Sequence, residues 1–382
     1  MAKIGKGFEG PRGAAAREIP AIVELADRVF GEGRPHDMSR WFPTLFHPEN
    51  RDNLRIVLLD GQPVSLVAFT VRDLWLGGVR LRAASIGSVA TDTQHRGRGL
   101  ASVLLLDAVR RAKACGVQLF LISGGRGLYR RNGCVDAGLY RTLRMAPDQN
   151  LPRLAVEIRP WTVSDLPAMT ALHQAEPVRY VRDRDEMRTL LSTDILCCRP
   201  ARTWVVRSGK ETVAYLCAQD PQDDTEERSV RIREMAGSRT AILAAVRKLF
   251  PAYQVERIEM RCLAGDIETA SIAEECGIPS EPRGFDGTMK IIDRKGFFAA
   301  LTDYRRERLG PDKDGALKIT AGPTVRFSLD GEELAIAKDE DLAAMVFGSR
   351  EWKTSRIPTT ALRRTLGRLF PLPLVDYGLN YI

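Results

Sequence analysis

The chain has 382 residues, enough for two to four compact units, and its profile of 44% hydrophobic, 28% charged and 7% aromatic residues excludes a single small module, a disordered chain and a collagen-like repeat. Lys and Arg number 57 against 49 Asp and Glu, a net charge of +8. Seven cysteines at irregular spacings, with no C-x-x-C pair, argue against a disulfide framework or a zinc site, and no apolar run is long enough to span a bilayer, so a reducing, cytoplasmic compartment is expected.

In chain order, apolar residues at helical spacing from Glu18 to Phe30 predict an amphipathic helix that stops at the turn Gly31–Pro35. An aromatic stretch, Trp41–Pro48, follows. Leu54–Leu59, a Gly61 turn and Val64–Thr70 read as a hairpin, and Leu74–Val89 adds one or two strands. Gly99–Cys115 reads as a helix and Val117–Ser123 as an apolar strand, so the first unit is mixed α/β. The order then repeats. A helix is expected over Pro160–His173 with Ser164 as its cap, a hairpin over Trp204–Ala218, a helix over Ala241–Phe250 and a strand over Arg257–Leu263. Pro279–Gly287 marks a boundary. Beyond it a helix is expected over Gly296–Arg308, strands at Ala316–Ile319, Thr324–Leu329 and Leu334–Ala337, and helices at Asp341–Phe347 and Thr360–Phe370. The expected units are residues 1–150, 151–288 and 289–382.

One segment carries chemistry: Ile86–Leu105, "IGSVATDTQHRGRGLASVLL". A strand ends at Val89, Ala90 and Thr91, a turn holds Arg96, Gly97, Arg98 and Gly99, and a helix follows at Leu100 and Ala101. Amides at a helix start lack an intrahelical acceptor, and glycine lets an anion approach closely, so this turn is expected to cradle phosphate. A Walker loop is excluded because no Lys-Ser or Lys-Thr follows the last glycine. The dinucleotide fingerprint fails because Ser102 stands where Gly or Ala is needed. Between Val71 and Arg131 there are eleven basic residues and three acids, so this segment alone matches the charge of the whole chain. Such a surface suits a polyphosphate. Nucleic acid is not expected, since aromatics for base stacking are few.

The pattern R-x-x-G-x-A, filled by Arg96, Gly99 and Ala101, resembles the acyl-CoA loop of the GNAT superfamily of N-acetyltransferases. That resemblance implies acetyl-CoA as cosubstrate, held by residues 89–91 and 96–101, no metal, and Tyr129 near the thioester sulfur. The phenol, protonated at neutral pH, suits donation to a leaving thiolate. Two such units and a small third one, with "GGRGLYRRNG" after the first core strand, resemble the enhanced intracellular survival family. Membership implies a second unit that has lost its coenzyme loop, here replaced by "EMAGSRT", Glu234–Thr240, and a third unit like a sterol carrier protein. It also implies trimers or hexamers and a terminal carboxylate in the active site, here that of Ile382, where the family usually ends in an aromatic residue.

The expected fold class is therefore α/β with mixed sheets: tandem GNAT-like domains followed by a sterol-carrier-protein-like domain. The expected activity is acetyl transfer from acetyl-CoA to a primary amine, of a polyamine, an aminoglycoside-like molecule or a lysine side chain. A non-catalytic coenzyme- or lipid-binding protein is the alternative, and transfer to a protein N-terminus is a second enzymatic one. Acids beside aromatics suit a cation, which makes Glu32, Asp37, Trp41 and Phe42 the candidate amine pocket.

Overall fold

A computed structural model of the chain describes residues 7–31, 37–221, 228–349 and 361–382. The front sheet is built from β1 (Phe8–Gly13), β2 (Leu54–Leu59), β3 (Gln62–Leu76), β4 (Val79–Thr91) and β5 (Leu119–Ile122), side by side in chain order. Asp60 and Gly61 both have positive φ, 50° and 78°, the two-residue turn whose twist matches a hairpin, and it joins β2 to β3. Helices α1 (Ile19–Gly31) and α2 (Met38–Trp41) cover one face. Helix α3 (Leu100–Ala114) covers the other, and a short α4 (Gly127–Arg131) follows β5. Ile22, Leu25 and Ala26 supply the buried stripe of α1, as the helical spacing predicts. Strand β1, rich in Gly and carrying Pro11, had no strand signature; it pairs antiparallel to β2 at the sheet edge, where a residue without an N–H is tolerated.

A second mixed sheet follows in the chain. Residues 140–283 hold β6 (Tyr140–Met145), β7 (Glu157–Pro160), α5 (Leu166–Ala175), β8 (Val178–Tyr180), α6 (Arg184–Leu191), β9 (Ile195–Leu196), β10 (Arg199–Ser208), β11 (Glu211–Gln219), β12 (Ser229–Gly237), α7 (Arg239–Tyr253), β13 (Arg257–Leu263), α8 (Ile267–Glu275) and β14 (Ser280–Arg283). The strand order is β14-β6-β13-β12-β11-β10-β7, with β9 on β10. The repeat read from the sequence is present, with one local correction. Ser164 does not cap α5; it lies in a single 3-10 turn, Val163–Asp165, that leads into α5, and Thr162 starts that turn, its amide and hydroxyl both donating to Asp165, at 2.8 and 2.9 Å.

Strands are traded between the sheets. After β5 the chain runs on through β6 into the second sheet, beside β13, while β15 (Thr288–Ile291) returns to pair with β5 and β8 pairs with β3. The third unit has α9 (Arg294–Ala300), α10 (Thr302–Leu309), α11 (Pro311–Ala316), a three-stranded meander of β16 (Lys318–Ala321), β17 (Val325–Leu329) and β18 (Glu332–Ile336), then α12 (Asp339–Phe347) and α13 (Ala361–Leu369). The single helix expected over Gly296–Arg308 is broken at Leu301, and Thr360 lies outside the described residues. Phe297, Phe327 and Phe347 share one buried cluster with Leu81, Leu119 and Tyr140, so the described residues of the third unit share their core with the front sheet and pack directly on it.

Candidate functional site

The site begins with a break in register. Val67 faces Val89 and Ala68 faces Gly87, so Ser88 is skipped; it has φ 53° and a buried hydroxyl with no partner among the described residues. Such a bulge bends the strand. Parallel pairing of β4 with β5 ends just before it, at Ile86 opposite Ile122, and the two strands part. Beyond the bulge, alternation turns Val89 and Thr91 toward an open cleft, while Ala90 is fully buried on the opposite face with α1. Of these three sequence candidates, then, two line the cleft and Ala90 does not.

The cleft holds about 600 Å³ and ends on the turn before α3. Gly97 and Gly99 both have φ 77°, a conformation that a side chain would strain, and no atom lies within 4 Å of where a Cβ would stand on either. Among the described residues, Val103 is the first α3 residue whose amide finds a main-chain acceptor, Gly99 O at 3.1 Å. Leu100, Ala101 and Ser102 before it line the cleft, and an unsatisfied helix start of this kind suits an anion. Arg96 lines the cleft and donates to Thr91 O at 3.3 Å, and Arg126 and Arg131 line its far wall. Arg98 points elsewhere, over the Phe8 ring at 5.9 Å. The rest of the basic run is largely spent: Arg72, Arg80, Arg110, Arg111 and Arg130 pair with Glu186, Asp73, Asp107, Asp52 and Asp136.

Tyr129 sits on α4, 6% exposed, in a cluster with Ile122 and Cys134. Burial raises its pKa, against a smaller lowering by Arg126, so the phenol keeps its proton at neutral pH. Its neighbours Leu128 and Arg126 form the cleft wall. A Cβ on Gly124 would touch its ring at 3.4 Å, which ties the residue to the loop after β5.

Ile382 reaches the opening between β4 and β5. Its main-chain oxygen accepts from Ser123 Oγ at 2.6 Å, and a Cβ on Gly87 would collide with its carbonyl carbon. Its side chain is buried with Ala90, Phe42 and Leu45. Trp41 and Phe42 line a narrow crevice with Leu379, Tyr381 and Ile382, so these two acceptor candidates meet the chain end. Asp37 does not join them: it is exposed and caps α2, accepting from the Arg40 amide at 2.9 Å. Glu32 lies outside the described residues. Gly87, Ser88 and Ser123 escaped the sequence analysis, because a bulge and a contact across some 260 residues leave no local pattern.

No curated protein matches the chain in sequence. The family model for the acetyltransferase (GNAT) domain matches residues 11–135. Among solved structures, a GCN5-related N-acetyltransferase from Anabaena variabilis superposes with a TM-score of 0.66 at 13% identity, covering 96% of this chain and 99% of that one. Another from Kribbella flavida gives 0.65 at 15%, over 97% and 96%. Eis1 from Mycobacterium abscessus gives 0.64 at 16%, over 96% and 99%. Residues 11–135 are therefore a GNAT-type acetyltransferase domain, set in a chain that shares its fold with GCN5-related N-acetyltransferases and Eis1.

Proposed function

We propose that the protein transfers the acetyl group of acetyl-CoA to a primary amine by direct attack on the thioester. One observation carries the reading: an open cleft that ends on a bare helix start, between Gly97, Gly99 and three arginines, fits a diphosphate. In this reading the parted strands β4 and β5 take the pantetheine arm and bring the thioester toward Tyr129. The amine nitrogen attacks the carbonyl carbon, the C–S bond breaks, and the departing thiolate takes the phenolic proton of Tyr129. The attacking nitrogen gives up a proton through water to the α-carboxylate of Ile382, and exchange with solvent returns one to the phenolate. Trp41 and Phe42 border the acceptor, an amine of the polyamine or aminoglycoside type or a lysine side chain. Residues 1–150, 151–288 and 289–382 are proposed as the catalytic, degenerate and sterol-carrier-like units, exchanging border strands.

The test supplies acetyl-CoA with spermidine, an aminoglycoside and a lysine peptide and follows thiol release. Release with one class identifies the acceptor. Tight acetyl-CoA binding with no release from any amine would sink the transferase reading.

A further inference from the structure

The second sheet repeats the first sheet's central device and fills it differently. There Cys217 faces Glu234 and Ala218 faces Ile232, so β12 skips Arg233 as β4 skips Ser88. Parallel pairing with β13 ends at Ile232 opposite Met260, again beside the bulge. By register, Glu234 occupies the place that Val89 has in the coenzyme cleft. Ser238 alone separates β12 from α7, however, and its hydroxyl accepts from the Ala241 amide at 3.2 Å. No loop is left for an anion.

The opening holds the chain's own tail. Asp376 pairs with Arg261 of β13 at 3.0 Å, the Leu379 amide donates to Glu234 Oε2 at 2.8 Å, and Arg182 Nε donates to Asn380 Oδ1 at 2.5 Å. Arg182 also grips Glu234 with both terminal nitrogens, at 2.6 and 2.8 Å, and Tyr215 donates to Glu234 at 2.9 Å. The two charged side chains are 2% and 9% exposed. A carboxylate offers about four acceptor sites, so the tail amide completes the set and a retracted tail would leave a buried charge short of a partner. Gly378 has φ 50°, and a Cβ there would collide with Glu234 Oε2.

We infer that Arg182 and Glu234 are positioning residues for the transfer reaction: the second unit's opening binds residues 376–380 where its twin takes coenzyme, and so sets how far Ile382 reaches toward Gly87 and Ser123. The inference rests on the proposed role of Ile382. Two residues span at most about 7 Å, so a slip of one residue in the grip would carry Ile382 out of reach of Ser123.

Two variants of the full chain test it. Gly378→Ala pushes the tail off Glu234 and spares both charges; Glu234→Gln keeps the shape and removes the charge. Hydrogen–deuterium exchange of residues 375–382 is expected to quicken at least tenfold in Gly378→Ala while that of β4 and α3 is unchanged. With spermidine as acceptor, kcat is expected to fall at least tenfold in both variants, with acetyl-CoA Kd by calorimetry within twofold of wild type. Wild-type exchange of 375–382 in Gly378→Ala overturns the grip itself, with or without a working acceptor. Faster exchange with unchanged kcat overturns the positioning role, and an equally active Tyr381–Ile382 deletion overturns the catalytic role of Ile382 as well. An inactive Tyr381–Ile382 deletion beside fully active variants overturns the positioning role alone and leaves the proposed function standing.

Discussion

At the residue scale the site depends on groups whose environment fixes their state. Burial of Tyr129 keeps its phenol protonated, so Tyr129→Phe is expected to lower kcat by roughly 10²–10⁴-fold while acetyl-CoA affinity measured by calorimetry stays put. Gly87→Ala tests the chain end from the opposite side: its Cβ would displace Ile382, and kcat is expected to fall with coenzyme binding retained. His173 gives a stability prediction. Its pKa is lowered to about 4, first by burial and then by Arg182. Its Nε2 lies 2.9 Å from Tyr180 O, a pure acceptor, so Nε2 carries the proton of the neutral ring. A depressed folded pKa means that the stability is fully present above the unfolded value near 6.5 and is lost as pH falls from there toward 4. In that window the slope approaches about 1.4 kcal/mol per pH unit. Urea unfolding of His173→Gln is expected to show a shallower acid slope than wild type; equal slopes would remove the assignment.

At the scale of elements, the turn before α3 was legible in the sequence because its requirements are local: two glycines, an arginine, a strand before and a helix after. The structure adds why both glycines are needed, since both lie at φ 77°. Gly99→Ala would meet no atom, so its cost is confined to backbone strain of about 1–3 kcal/mol at the helix start that lines the cleft. Acetyl-CoA affinity is expected to drop several-fold with a small change in melting temperature. Charge was legible only in sum. Three arginines reach the cleft, while most of the others neutralise acids from segments that no local pattern links to them, as Arg72 does with Glu186. Helix starts follow the same rule: Ser164 suits a cap by type, and no local pattern tells that a 3-10 turn, Val163–Asp165, begun by Thr162, stands before α5.

At the scale of the whole molecule, the repeated order of helix, hairpin, helix and strand was readable, but border elements such as β6, β8, β12 and β15 and the pairing of the strands were not. Strand β6 has the pattern of any half-buried strand, and nothing in "YRTLRM" distinguishes β13 as its neighbour from β5, which precedes it. The same holds for β15, whose Thr288–Ile291 completes the sheet begun by β1 to β5. Residues 1–150 expressed alone are accordingly expected to misassemble. All four residues of β5 are buried, and without β15 their main-chain groups form an open, apolar edge. Size-exclusion chromatography should show aggregates for that fragment and a defined species for the full chain; a well-dispersed, cooperatively melting fragment would contradict this.

The trading of border strands also bears on synthesis. On the ribosome residues 1–150 emerge first, yet the first sheet waits for Thr288–Ile291, whereas the second sheet can close once Ser280–Arg283 is out. The sheet made second is thus finished first, and a nascent chain stalled between those two strands would present a closed second sheet and a first sheet still open to chaperones or proteases.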